Sequence, residues 1–248
     1  MTRYRPNSEE SHYRGSFHIQ EKRDMARMFR QVHRRYDFFN HLFSLGNDIR
    51  WRRKSSTLLE FDSRDLILDV GAGTGDFSIA ISRQSGAKVI ALDLVPEMVE
   101  RYRVKIDKKG LKNFSATLAD GETLPFTDEV FDGVVAGFVG RNLLNLKQAL
   151  LEIHRVLKIG GKVGFLEFCR TRNLLVKTLN WLYFRTIISQ MGNLLLPRDL
   201  RAYTYLIDSI EGFYSIKELR KIFTDVGFLD IHYHQFNMGT VTLIVGKK

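Results

Sequence analysis

Cysteine and proline are both scarce in this chain. A single cysteine, Cys169, stands among 248 residues, which excludes an internal disulfide framework, and no group of Cys and His residues has metal-ligand spacing. A reduced, intracellular, metal-free protein is expected. Four prolines and the lack of any low-complexity tract leave little room for a long linker. No window reaches the roughly 18 uncharged apolar residues that a membrane-spanning helix needs, and no apolar run of signal-peptide length follows the first positive residues. The expected location is cytoplasmic.

What the chain has is enough apolar material for a full core. Hydrophobic residues make up 44%, sufficient for one large domain. Residues 1–24 are polar, lack apolar periodicity and are expected to form a mobile tail ahead of a single domain over 25–248. The charge is lopsided: 38 Lys and Arg face 28 Asp and Glu, a net of +10. Such a surplus suits nucleic acid, anionic lipid headgroups or an acidic small molecule. Basic residues interleave with aromatics in RMFRQVHRRYDFF and again in IRWRRK. A solvated basic helical face explains both stretches more simply than an RNA surface, and no nucleic-acid partner is expected.

From Leu66 onward, short apolar runs alternate with amphipathic segments, the pattern of βα units. LILDVG, KVIALD, FSATLA, FDGVVAGF and KVGFLEF read as five parallel strands. Between them, helices are expected from Gly75 to about Gln84, from Pro96 to about Lys109, and over LKQALLEIHRVLK, where Leu146, Ala149, Leu150, Ile153 and Leu157 recur at helical spacing and Gly160-Gly161 supplies the stop. GFLDIHYHQF and MGTVTLIVGKK read as an antiparallel C-terminal hairpin. The fold class is therefore α/β: a doubly wound, mostly parallel seven-stranded sheet.

LDVGAGTGD places Gly71, Gly73 and Gly75 on alternate residues after the first strand. Such a turn brings backbone N–H groups and a helix N-terminus against a nucleotide-like ligand. A dinucleotide loop wants a third glycine where Asp76 stands, and a carboxylate there would face a pyrophosphate. A P-loop wants a Lys followed by Ser or Thr, and neither is present. The second strand ends at Asp93, placed to accept hydrogen bonds from both hydroxyls of a ribose, and Asp120 can meet an adenine amino group while Gly121 lets the ring lie close. An adenosine without phosphate points to S-adenosylmethionine.

At these residues the chain resembles the class I methyltransferases, and more narrowly the menaquinone and ubiquinone C-methyltransferase family. MFRQVHRRYDFFNHLFSLGNDIRWRR, LDVGAGTGD, ADGETLPFTDEVFDGV, GFVGRNLLN, ALLEIHRVLKIGGKVGFLEF and RAYTYLIDSIEGFYS carry the resemblance in order, over about residues 25–240. It implies methylation of a ring carbon of a polyprenylated quinol, with demethylmenaquinol the commonest acceptor. It also implies cofactor contacts at Thr74, Asp93, Asp120, Gly121 and Gly137. The family loop after the fourth strand is usually Phe-Gly-x-Arg-Asn, whereas here it is Phe138-Val139-Gly140-Arg141-Asn142, and Gly137 stands where Ser is frequent.

A quinol carbon becomes nucleophilic when a neighbouring hydroxyl loses its proton, so the site needs a base, a water relay or a stabilising cation. Arg141 is the expected stabiliser, because a guanidinium stays protonated; an ion pair shaping the loop is the simpler alternative. Asn142 is expected to bond an acceptor oxygen, and Tyr203, Tyr205 and Ser209 to line the acceptor pocket. His33, His154, His232 and His234 are alternative bases, and Cys169 is a small filler. A helical insertion over about 172–210 is expected to cover the acceptor site and, with the basic surplus, to permit peripheral contact with an anionic membrane. A homodimer is compatible with the same apolar segment. The alternatives are a methyltransferase acting on RNA or another small molecule, and a non-catalytic assembly subunit that keeps the fold.

Overall fold

In the computed structural model the described residues are 22–171, 178, 182–183, 186 and 202–248. Most of the expected tail, and most of the expected insertion over 172–210, lie outside them. Three helices come first: α1 (Lys22–Val32), α2 (Tyr36–Phe43) and α3 (Asn47–Leu59). The alternating part follows as β1 (Leu66–Val70), α4 (Asp76–Ser85), β2 (Lys88–Asp93), α5 (Pro96–Lys108), β3 (Phe114–Leu118), β4 (Phe131–Gly137), α6 (Leu146–Val156) and β5 (Leu157–Phe168). The chain ends with α7 (Ala202–Gly212), α8 (Ile216–Val226), β6 (Leu229–Phe236) and β7 (Val241–Lys247).

The seven strands form one sheet in the order β3-β2-β1-β4-β5-β7-β6. Pairings from β3 through β5 are parallel, while β7 runs antiparallel to both β5 and β6. Strand order reverses between β1 and β4, and in open α/β sheets ligands bind at that switch, beyond the carboxyl ends of the strands. The expected doubly wound sheet with its antiparallel C-terminal hairpin is what the chain forms.

Burial explains why these segments take these forms. Strands β1 and β4 read as nearly continuous apolar runs because helices cover both faces. Helix α6 buries Leu146, Ala149, Leu150, Ile153 and Val156, and removing each large aliphatic side chain from water contributes roughly 1.5–3 kcal/mol. Helix α6 stops at Val156, short of the expected Gly160-Gly161. The reason is tertiary: the carbonyls of Arg155 and Val156 accept hydrogen bonds from Glu129 and Val130 N–H, and Leu157 already pairs with Phe131 of β4. Gly75 caps α4, with a φ of 90° in the left-handed region. A Cβ there would lie 2.5 Å from the Tyr102 ring, so only glycine can make this turn.

Candidate active site

A cleft opens at the switch between β1 and β4. Its empty space is about 710 Å³ when the solvent at its open mouth is included. Its floor is Val70, Gly71 and Gly73, its sides come from Leu92–Val95, Asp120–Glu122 and Gly137–Val139, and Asn142 and Leu143 close one end. Gly71 has a φ of 65°, and a Cβ there would meet Val139 Cγ2 at 2.3 Å. Val139 is itself part of the wall, so a side chain at position 71 would push the wall into the ligand space.

The electrostatics of the lining are one-sided. Asp93, Asp120 and Glu122 line the cleft, and among the described lining residues none is Lys or Arg. Asp93 is fixed from both oxygens: Gly73 N–H donates to Oδ2 at 2.8 Å and Val95 N–H to Oδ1 at 2.9 Å. Burial raises the Asp93 pKa, and these backbone donors oppose the shift. Each carboxylate oxygen keeps a further lone pair for a ribose hydroxyl. Asp120 Oδ1 accepts from Glu122 N–H at 2.9 Å, and Glu122 Oε1 accepts from Leu144 N–H at 2.7 Å, which ties the loop after β3 to the loop after β4. An acidic cleft floored by glycine backbone repels a pyrophosphate and accepts a cationic, phosphate-free nucleoside. The residues present therefore fit S-adenosylmethionine.

Of the expected cofactor contacts, Gly71, Gly73, Asp93, Asp120, Gly121 and Gly137 line this cleft, as does Asn142. Two others do not. Gly75 packs against Tyr102. Thr74 is buried and lines a smaller hollow that shares Gly71 and Gly73 with the cleft, its hydroxyl donating to Asp37 and accepting from Lys105 Nζ at 3.1 Å. Lys105 also pairs with Asp37 and Asp76, each at 2.8 Å. Asp76, the residue that argued against a dinucleotide, thus belongs to this partly buried network and lines the same smaller hollow. Gly137 is bare for packing: a Cβ there would meet Phe77 at 2.8 Å.

Arg141 takes a different place from the one expected of a stabilising cation. Residues Gly140–Asn142 form a single 3₁₀ turn. Arg141 Nη1 donates to Glu167 Oε1 at 2.6 Å, its backbone N–H reaches Glu167 Oε2 at 3.4 Å, and the guanidinium sits 5.6 Å from the Phe168 ring centre. Glu167 is fully buried and Arg141 nearly so. The ion-pair alternative is the observed one, and Arg141 is not among the cleft's lining residues. Tyr205 O–H donates to Asn142 Oδ1 at 2.7 Å, and burial pushes the phenol up to about 12. Ser209 is buried on α7, and the side chain of Tyr203 lies outside the described ones.

None of the alternative bases lines the cleft. His33 bonds the Arg30 carbonyl, His154 packs on Phe228, and His232 and His234 stack edge-on on β6. Cys169 is buried, and that burial pushes its thiol up to about 12, the chemistry of a filler. Sequence reasoning missed one wall of the cleft, where Met25, Phe29 and Tyr36 come from the N-terminal helices. Their signal was present in MARMFRQVHRRYDFF, where Met25 and Phe29 stand four apart on α1 and Tyr36 opens α2; the basic residues between them point equally to a solvated surface. Glu167 also passed unnoticed, as a lone carboxylate in an apolar strand.

The model of the ubiE/COQ5 methyltransferase family matches residues 17–248. The chain belongs to that family. A ubiquinone/menaquinone biosynthesis C-methyltransferase UbiE from Geobacter sp. (strain M21) is 36% identical over 234 residues, 93% of this chain and 99% of the relative. A demethylmenaquinone methyltransferase from Chlorobaculum tepidum is 36% identical over 225 residues, 89% and 90% of the two chains. Among solved structures, a SAM dependent methyltransferase from Aquifex aeolicus matches with a TM-score of 0.58 at 21% identity, covering 79% of this chain and 88% of that one. At that identity the match bears on the fold, which the two share. The expectation of a methyltransferase with S-adenosylmethionine as cofactor agrees with all of these matches. Among the described residues, no helix of this methyltransferase is long and apolar enough to cross a membrane.

Proposed function

We propose that this methyltransferase methylates a ring carbon of a polyprenylated quinol, with demethylmenaquinol as acceptor. The observation that carries the reading is the acidic cleft, whose described lining holds three carboxylates and neither Lys nor Arg, in a chain of this family. S-adenosylmethionine, when bound, supplies an electrophilic methyl group on a cationic sulfur. Asp93 would hold the ribose hydroxyls, Asp120 the adenine amino group, and the bare backbone of Gly71 and Gly73 the body of the nucleoside.

What remains for the protein is orientation, because holding two reacting atoms in line lowers the barrier by several kcal/mol. Asn142 lines the cleft beside Val139 and Leu143. Its Oδ1 accepts from the Tyr205 phenol and one amide N–H reaches the Phe138 carbonyl at 3.5 Å, so its second amide N–H is the group to donate to a quinol oxygen. Tyr205 is protonated at neutral pH, and burial moves its phenol still further from ionisation. Arg141 contributes by position: clamped to Glu167, it sets the turn that carries Asn142.

The test is methylation of reduced demethylmenaquinone by the purified full chain with S-adenosylmethionine, read by mass spectrometry. The expected product is a C-methylated naphthoquinol. Product from a benzoquinol analogue alone would replace the acceptor, and no product from either quinol would overturn the reading.

A further inference from the structure

We infer that the corner between α2 and α3, together with the β6–β7 turn, forms a docking face for an anionic lipid bilayer. This rests on the reading that the acceptor carries a prenyl tail. Helix α3 buries Asp48, Trp51, Arg52, Ser55, Ser56 and Leu59, leaving Ile49, Arg50, Arg53 and Lys54 exposed on its other side. None of those three cations is in an ion pair among the described residues. The turn ahead of α3 presents Leu45, which is 71% exposed. Leu45 adopts a φ of 53°, a conformation non-glycine residues rarely take and that costs of order 1–3 kcal/mol.

The turn is rigid. Asp48 accepts hydrogen bonds from His41 Nδ1 at 2.9 Å, Ser44 Oγ at 2.8 Å and Arg52 Nη1 at 2.9 Å. A leucine is thus held outward by a buried polar knot. A second loop tip repeats the arrangement: Met238 is 74% exposed with a φ of 54°. Its neighbour Asn237 accepts a hydrogen bond from Trp51 Nε1 of α3 at 3.3 Å, so both tips adjoin one helix.

Topology puts this face at the cleft. Phe168, the last residue of β5, pairs with Val241, so the β6–β7 turn lies at the carboxyl end of the parallel strands. Trp51 packs on Phe138 and Phe168 at that same end, with ring centres 6.0 and 5.9 Å away. Tyr183 O–H bonds the Phe43 carbonyl at 3.0 Å, and neighbouring Leu182 is half exposed. Apolar tips flanked by exposed cations match the boundary between acyl chains and anionic headgroups. A lipid-tailed acceptor leaving the bilayer there enters the molecule at the site's own end.

The experiment is co-sedimentation of the full chain with quinol-free vesicles, either phosphatidylglycerol-rich or phosphatidylcholine alone. Binding to the anionic vesicles is expected, weakened by salt. Replacing Arg50, Arg53 and Lys54 by alanine should lower the partition coefficient about a hundredfold, at roughly fivefold per cation. The Leu45→Ser, Ile49→Ser, Met238→Ser protein should lose about tenfold or more, and both variants should still methylate a short-tailed soluble quinol at the wild-type rate. Undiminished sedimentation of both variants, or no binding by the wild type, would overturn the proposal. Light scattering that shows a wild-type dimer split by the serine variant would instead make this face a subunit interface. A protein that binds vesicles but methylates no quinol leaves the docking face standing and sinks the acceptor reading.

Discussion

Glu167→Gln should destabilise the protein far more than an amide-for-acid exchange at the surface. Glu167 is wholly buried and its partner Arg141 is 10% exposed, so the variant leaves a guanidinium without its countercharge in a poorly solvated place. Breaking a buried pair from one side costs about 3–5 kcal/mol, and glutamine, which keeps one acceptor oxygen, belongs near the lower figure. For a chain of this size each kcal/mol moves Tm by about 2–4 °C, so thermal melts should shift down by roughly 6–12 °C. Urea unfolding provides an independent measure. The paired replacement Arg141→Met with Glu167→Leu should recover most of the loss, because no unpaired charge remains buried. It should not recover turnover, since the Gly140–Asn142 turn loses its clamp. S-adenosylmethionine affinity should stay within about threefold throughout, because neither side chain lines the cleft. A Tm change under about 2 °C for Glu167→Gln, or a double variant as unstable as the single one, would refute the reasoning.

Three further outcomes follow from the same geometry. Gly71→Ala forces a Cβ to 2.3 Å from Val139 at a φ of 65°, so calorimetry should show cofactor binding abolished, with a stability loss of about 2 kcal/mol or more; tight binding would show that the wall gives way. Asp93→Ala removes the acceptor of two backbone N–H groups and of the ribose hydroxyls, so Kd for the cofactor should rise about 10- to 100-fold, and an unchanged Kd would remove Asp93 from the site. Asp69 is buried, and burial lifts its carboxyl to about 7 against the donation from Ser78. The folded chain therefore binds a proton that the unfolded chain has already released between about pH 4 and pH 7, and stability falls as pH rises through that window. Asp69→Asn should flatten the decline, by up to the order of 3–4 kcal/mol, and parallel urea midpoints for the two proteins at pH 4.5 and 7.5 would contradict it.

Element type and order were readable because burial on both faces leaves a one-dimensional trace. Runs such as LILDV and VVAG become strands only under helices on either side, and α6 announced its buried face through Leu146, Ala149, Leu150 and Ile153. Boundaries set by partners were not readable. Helix α6 ends at Val156 because strand β4 engages Leu157, a contact 26 residues away in sequence that no local glycine signals.

The cleft divides the same way. Chain chemistry alone determined the glycine floor and the carboxylates of Asp93 and Asp120, because backbone approach and strand-end position are local properties of a βα unit. Tertiary structure alone decided which side chains meet from distant segments: Tyr36 over Gly73, Asp37 and Lys105 on Thr74, Glu167 on Arg141. Charge pairing is what the sequence could not rank, since an arginine beside a turn is equally able to face a ligand or a carboxylate. Packing chose Glu167, the residue with no water to satisfy it.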